Sequence, residues 1–179
     1  MGALLALSRG IDRVTIALGR IAAVLVLAAA LISAGNATSR YLFALSSNAW
    51  LEIQWYLFGG IIMLAAAETL RQNGHVRVDL IYSNISERKR LWIDIVGILV
   101  FLLPFSIFLA WLCWPVAWGA FQRGEMSSNS GGLIRWPVRT IIALGFTLVA
   151  VQGVSELIKR IAALRGTIRL DLSYEKPQQ

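Results

Sequence analysis

Four long apolar segments, each bounded by charged residues, dominate the pattern of hydrophobic and polar positions. Charge-free runs cover residues 21–39, 53–67, 95–122 and 141–155. A helix needs about 20 mainly apolar residues to cross a bilayer, and further apolar residues flank the two shorter runs. The pattern predicts an all-α integral membrane protein with four transmembrane helices, at about residues 18–39, 48–70, 91–119 and 136–160.

The distribution of lysine and arginine predicts the orientation of these spans. Four spans place both termini on one side of the membrane. The flanks on that side carry 13 Lys and Arg residues, and those on the other side carry 4. Because flanks rich in Lys and Arg stay in the cytoplasm, we predict that both termini are cytoplasmic. We expect residues 1–165 to form one membrane domain and residues 166–179 to form a cytoplasmic tail.

An amphipathic pattern precedes the first span. Apolar residues recur every three or four positions, at Leu4, Leu7, Ile11, Val14 and Leu18. The opposite side carries three candidates for contact with lipid headgroups: Arg9, Arg13 and Arg20. A helix with this pattern lies at the membrane surface, so we predict an interfacial helix over about residues 3–18, with a bend near Gly19. The alternative is that these residues simply extend the first spanning helix.

Two connections between spans carry recognisable patterns. The connection on the cytoplasmic side contains a polar motif formed by His75, Arg77 and Asp79. The longest outer connection, residues 122–137, is rich in Gly and Ser. We therefore expect this outer loop to be flexible when free, and to be the natural contact for an external partner.

Composition and charge exclude several classes of function. Hydrophobic residues make up 57% of the chain and charged residues 15%, and the mean hydropathy is +0.65. A net charge of +7 in a soluble domain would suggest nucleic acid, but the basic residues lie between apolar runs, so membrane lipids are the expected partner and nucleic acid is not. A single cysteine, Cys113, and a single histidine leave no basis for an internal disulfide or a zinc site. We expect no cofactor and no catalytic residues.

Two glutamates at the ends of the second span are the strongest candidates for chemistry. Glu52 and Glu68 are sixteen positions apart, or about 24 Å along a helix, so they cannot share one site. One hypothesis pairs Glu52 with an arginine of a partner protein, or with Arg40 or Arg139. The alternative is that both glutamates mark helix ends. Within any single span we find no polar cluster for a substrate, which favours an accessory subunit over a self-sufficient transporter.

Aromatic and charged residues near the outer ends of the spans suggest a contact surface. Phe108, Trp111, Trp114 and Trp118 fall within about 120° of arc on the third helix. Such a stripe faces lipid or grips another subunit. The candidate partner-interface residues are Arg40, Trp50, Glu52, Trp111, Trp114, Trp118, Arg123, Glu125, Arg135 and Arg139.

Four groups of short motifs support a resemblance to a known family. They are Asn36 with Arg40-Tyr41-Leu42-Phe43, then Trp50-Leu51-Glu52 with Gln54-Trp55-Tyr56-Leu57-Phe58, then Thr69-Leu70-Arg71 with His75-Val76-Arg77-Val78-Asp79, and finally Glu125-Met126-Ser127, Gly131-Gly132-Leu133, Trp136-Pro137, Leu144-Gly145-Phe146 and Gln152-Gly153. With them, the chain resembles the small membrane subunit of tripartite ATP-independent periplasmic (TRAP) transporters over roughly residues 10–160. The Gly-Gly-Leu motif is similar to the branch associated with mannitol or chloroaromatic compounds and with 2-oxo acids.

The resemblance implies a role without a reaction. In this family a periplasmic substrate-binding protein delivers an organic acid to two membrane subunits, and the large permease subunit carries the substrate and sodium sites. The small subunit packs against the scaffold of the large one in the bacterial inner membrane, and helping to dock the binding protein is a further role considered for it. The resemblance thus implies a non-catalytic subunit of a sodium-driven secondary transporter.

Two other functions stay open on the sequence alone. A small homodimeric proton-coupled exporter would be shorter and would carry a glutamate inside its first span, whereas no carboxylate lies between Arg20 and Arg40. A membrane anchor for another complex, such as a redox enzyme, would normally need histidine ligands in its spans. Neighbouring genes for a large permease and a secreted binding protein would favour the transporter.

Overall fold

The computed structural model describes residues 1–45, 47–74 and 85–170, and most of that part of the chain is helical. The helices are α1 (Gly2–Phe43), α2 (Asn48–Arg71), α3 (Glu87–Gly97), α4 (Leu103–Gln122) and α5 (Trp136–Leu164), with a π-helical turn at Ile98–Leu102 that joins α3 to α4. Four helical units are long and apolar enough to cross a membrane, namely α1, α2, the continuous stretch from α3 to α4, and α5. The prediction of four such helices is confirmed.

Small side chains form the seams along which these helices pack. The buried residues of α4 are Ser106, Ala110, Ala117 and Ala120. Steps of three, four or seven residues keep them on the side of α4 that faces α5. Small residues let helix backbones approach closely where lipid provides no hydrophobic force between helices. The core is accordingly made mainly of alanine, and most of the large apolar side chains point outward.

A proline accounts for the π-helical turn between α3 and α4. Pro104 has no N–H to offer the carbonyl of Val100, and its ring crowds that carbonyl. The backbone widens, and the N–H of Leu103 bonds to the carbonyl of Ile98, five residues earlier. Such single π turns inside helices are frequent at functional sites.

α1 is one helix of 42 residues, which differs from the prediction of an interfacial helix with a bend near Gly19. The alternative, an extension of the first span, describes the structure. Gly19 lies where α1 passes α2, because a Cβ there would sit 2.8 Å from Cγ of Glu68. The residue therefore serves a close approach between helices. Nearer the N-terminus, Ser8 and Thr15 are buried against α5, so this part of α1 belongs to the bundle.

Candidate functional site

The connection between α4 and α5, residues 123–135, folds back as a hairpin at the end of the bundle opposite the start of α1 and the end of α5. A single β bridge pairs Met126 with Ile134. Gly131 turns the chain with a φ of 67°, a left-handed conformation that glycine adopts without steric cost. The loop that we expect to be flexible when free is a hairpin in this structure, and Gly131 and Ser127 are among the residues that turn and fasten it.

Glu52, one turn into α2, holds the hairpin in place. Its carboxylate accepts hydrogen bonds from the hydroxyl of Ser127, from the side-chain amide of Asn129 at 2.8 Å and from the backbone N–H of Leu133 at 2.7 Å. Three donors at consecutive parts of the hairpin thus converge on one carboxylate. A charged acceptor makes such bonds stronger than neutral ones, so this contact fixes the hairpin on α2.

Glu125, at the base of the hairpin, is surrounded by arginines. Arg139 donates to its carboxylate at 2.6 Å, and the nearest side-chain nitrogens of Arg135 and Arg123 lie 3.6 and 3.7 Å from it. This arrangement corrects the hypothesis that Glu52 pairs with Arg139. Three cations around one carboxylate leave an excess of positive charge, and the Arg123 side chain is 66% exposed. We call the hairpin, Glu52 and Arg139 the rim.

The tryptophans of the predicted aromatic stripe lie mainly on the open side of α4. Trp111 and Trp118 are 68% and 60% exposed, and seven residues, or two helical turns, separate them. Trp114 differs, because its indole N–H donates to Oγ1 of Thr147 in α5 at 3.2 Å. Trp50 is exposed at the start of α2, where it lines a groove beside α1. Trp111 and Trp118 therefore remain available to lipid or to another subunit.

The other predicted residues fall into two groups. Four arginines lie exposed along α1, and none has an ion pair within the described residues: Arg9, Arg13, Arg20 and Arg40. The hypothesis that Glu52 pairs with Arg40 is therefore also corrected. The cytoplasmic motif of His75, Arg77 and Asp79 lies outside the described residues.

A buried polar network, which the sequence analysis did not identify, links α1 to α5. Gln152 is fully buried. Its carbonyl oxygen accepts from the hydroxyl of Thr15 at 2.9 Å, and its amide donates to Asp12 at 2.9 Å and to Glu156 at 3.0 Å. Lys159 bridges the same two carboxylates, at 3.2 Å from Asp12 and 2.5 Å from Glu156. Every polar atom of the Gln152 side chain is thereby satisfied.

The network continues from α5 to α3. Arg160 donates through Nε to Asp94 at 2.8 Å and through Nη1 to Glu156. All three side chains are about 7% exposed. At the other end of the network, Ser8 and Ser155 join their hydroxyls at 2.7 Å. One run of polar contacts thus ties α1, α5 and α3 together near the end of the bundle where α1 begins and α5 ends.

A different reading of the sequence would have found the α1 side of this network. The stripe that packs inward is small and polar, and it repeats in steps of four and three: Ser8, Asp12, Thr15, Gly19 and Ala22. It lies between the apolar stripe and the arginines, so a search for apolar periodicity passes over it. No metal site accompanies the network, since the described residues contain no group of three or more His, Cys, Asp and Glu side chains that could hold an ion.

Comparison with known proteins gives one family. Residues 29–163 match the family model described as "Tripartite ATP-independent periplasmic transporters, DctQ component". The matched region includes α2, α3, α4 and the rim, and it ends just before the last residue of α5. Searches of curated proteins and of solved structures gave no match.

Proposed function

Because the chain belongs to the DctQ component family of tripartite ATP-independent periplasmic transporters, we propose that it braces the scaffold of the large permease subunit in the membrane. Family membership makes it a small permease subunit, which is a transport component and not an enzyme, in the inner membrane. It also implies two partners, a large permease and a binding protein. Family membership favours this function over the two alternatives, a proton-coupled exporter and an anchor for another complex.

The exposed aromatic side of α4 is the observation that supports the scaffold role. α4 buries only small residues against α5, while Trp111 and Trp118 face outward two turns apart. Tryptophan is among the residues that contribute most to binding energy at protein interfaces. We assign this side of α4 to the contact with the large subunit.

A second role is proposed for the rim, namely contact with the periplasmic binding protein. The hairpin is held by Glu52 and by its own backbone bonds, so it offers a preformed surface. Arg123 extends from that surface with a carboxylate no nearer than 3.7 Å. Charges of this kind set the rate and register of association more than its affinity.

We also propose the orientation of the subunit, the class of cargo and the coupling ion. Both termini lie in the cytoplasm, which places the rim in the periplasm, and Arg9, Arg13 and Arg20 then face the anionic headgroups of the inner leaflet. The cargo is an organic acid of the carboxylate class, and sodium binds to the large subunit. One observation supports sodium binding in the large subunit. The network carboxylates of this chain, Asp12, Asp94 and Glu156, already pair with Lys159 and Arg160.

Co-purification tests the scaffold proposal. The double variant Trp111→Ala/Trp118→Ala should recover much less large subunit on a tagged small subunit than the wild type does. The control is Trp55→Ala/Trp92→Ala, which removes two exposed indoles from α2 and α3. Trp55 is 77% exposed and Trp92 is 55% exposed. Equal recovery with the α4 variant and the wild type would remove this side of α4 from the contact. A loss with the control alone would move the contact to another face.

A further inference from the structure

An open groove of about 1110 Å³ runs along α3, the π-helical turn and α4. Its walls are almost entirely apolar, with side chains that include Ile93, Phe101, Phe105 and Phe146. Gly97, just before the π turn, lies in the wall of the groove and contributes no side chain there. A Cβ built on Gly97 would meet no atom within 4 Å, so the space in front of it is open.

One end of this groove is polar. Asp94 and Arg160 line it near the start of α3 and the end of α5, where they form the buried ion pair described above. One helical turn earlier, α3 carries Lys89 and Arg90 on the side that continues to Ile93 and Asp94, since residues four apart lie above one another on a helix. Lys89 is exposed and has no ion pair within the described residues. The groove therefore joins a long apolar floor to a basic mouth.

We propose that this groove is a binding site for one anionic phospholipid, taken from the leaflet on the side of the termini. The acyl chains lie along the apolar floor between Gly97 and Phe105, and the phosphate meets Lys89 at the mouth. Basic pockets between membrane helices bind anionic headgroups in this way. The lipid fills the open space in front of Gly97 and supports α3 against α5. The proposal goes beyond the proposed function, because it needs neither the contact on α4 nor the rim.

The charge pattern at the mouth favours a phospholipid over a helix of another subunit. An apolar helix from a partner would fill the floor but would leave Lys89 facing lipid or another apolar surface. Arg160 does not recruit the headgroup, because Asp94 and Glu156 already accept its hydrogen bonds. These paired groups close the groove on the inner side, and the unpaired cation lies where a headgroup at the interface would be.

Native mass spectrometry of the complex with the large subunit tests the site. The complex is equilibrated with mixed vesicles of phosphatidylglycerol and phosphatidylethanolamine, and bound lipids are counted. We expect one retained phosphatidylglycerol per small subunit in the wild type. Gly97→Leu fills the groove and should lower that occupancy at least tenfold. The control Gly10→Leu also points into open space, lies on α1 far from the groove, and should retain the lipid.

Paired charge variants separate the headgroup from the acyl chains. Lys89→Glu should remove the preference for phosphatidylglycerol over phosphatidylethanolamine. The control Arg88→Glu makes the same charge change on a neighbouring exposed residue that lies about 100° further round the helix, and it should keep the preference. Inorganic phosphate alone should give no retained adduct, because the acyl chains supply most of the buried surface.

Several outcomes would overturn the proposal. They are a complex without any retained lipid, equal occupancy in Gly97→Leu and the wild type, and equal headgroup preference in the two charge variants. Protection of Gly97→Cys from labelling by the large subunit, in a complex free of lipid, would show that a protein helix occupies the groove instead. Assembly of each variant with the large subunit is checked by co-purification before lipids are counted.

Discussion

The guanidinium of Arg160 in α5 donates to the carboxylate of Asp94 in α3 at 2.8 Å, across 66 positions of sequence. Both side chains are about 7% exposed, and Glu156 accepts a second bond from the same guanidinium. A buried cation with two carboxylate partners therefore joins α5 to α3, whose other buried residues are Leu91 and Ile95. This buried cluster of charges lies near the end of the bundle where α1 begins and α5 ends.

This junction predicts a large effect of a single substitution. Arg160→Met removes the buried cation that Asp94 and Glu156 share and leaves Glu156 with Lys159, and breaking a buried pair on one side costs about 3–5 kcal/mol. We expect a loss of that order in the free energy of unfolding, measured in detergent micelles. The control Arg165→Met removes an exposed arginine about one turn after Arg160. It should change the free energy of unfolding by no more than about 0.5 kcal/mol. Equal stability of the two variants would contradict the role of the junction.

The contact between Glu52 and the hairpin predicts a change in protease sensitivity. Glu52→Ala leaves the Leu133 N–H and the Asn129 amide without the carboxylate that accepts their hydrogen bonds, so the hairpin loses its side-chain attachment to α2. Trypsin should therefore cut the complex after Arg123 or Arg135 at least about tenfold faster, because cleavage follows the population of the open form.

The matched control for the hairpin uses the other end of the same helix. Glu68→Ala removes a carboxylate that pairs with Arg71 and Gln72, far from the hairpin. Cleavage within residues 123–135 should be unchanged in this variant. Unchanged cleavage in Glu52→Ala as well would mean that the hairpin is held by its own backbone bonds alone.

The exposed cation of the rim predicts a defect in uptake without a defect in assembly. Of the three arginines around Glu125, Arg123 lies farthest from its carboxylate, and Arg123→Glu reverses that charge. The variant should lower uptake of the cargo while the amount of assembled membrane complex stays the same. The defect should depend on ionic strength, because exposed charges are screened over about 8–10 Å at physiological salt. Glu125→Arg is a less specific probe, since it also breaks the 2.6 Å contact with Arg139. Normal uptake in Arg123→Glu at both low and high salt would leave the subunit as scaffold only.

The proposed orientation predicts the behaviour of reporter fusions. Fusions at residues 45 and 128 should report the periplasm, and fusions at residues 82 and 179 should report the cytoplasm. The physical reason is the excess of Lys and Arg in the flanks on the side of the termini. A C-terminal fusion that is active only in the periplasm would contradict this orientation.

Much of the fold could be predicted from the sequence because the spans are long and their ends are charged. The apolar runs led to four helices, and the structure has four helical units of sufficient length. That α1 continues through Gly19 could not be predicted from the apolar pattern. Gly19 weakens a helix in isolation, and only the neighbouring Glu68 shows that the residue is small to admit α2.

The candidate sites were predicted less completely, because their partners are distant in sequence. Glu52 was identified as a residue of interest, but its donors lie 75 to 81 positions away in the hairpin. The network was missed for a related reason. Gln152, Asp12 and Asp94 lie on three different helices, and only the packing of these helices makes one network of them.

The measurement that tests the central claim most directly is the mass of the assembly that contains this chain. We expect native mass spectrometry of the tagged chain, extracted gently from the inner membrane, to show one small subunit with one large permease subunit. Vesicles that contain the chain alone should take up no cargo, and vesicles that contain both subunits should take it up when the binding protein is supplied. A stable assembly of two copies of this chain, which exchanges protons for a substrate without any other subunit, would contradict the account.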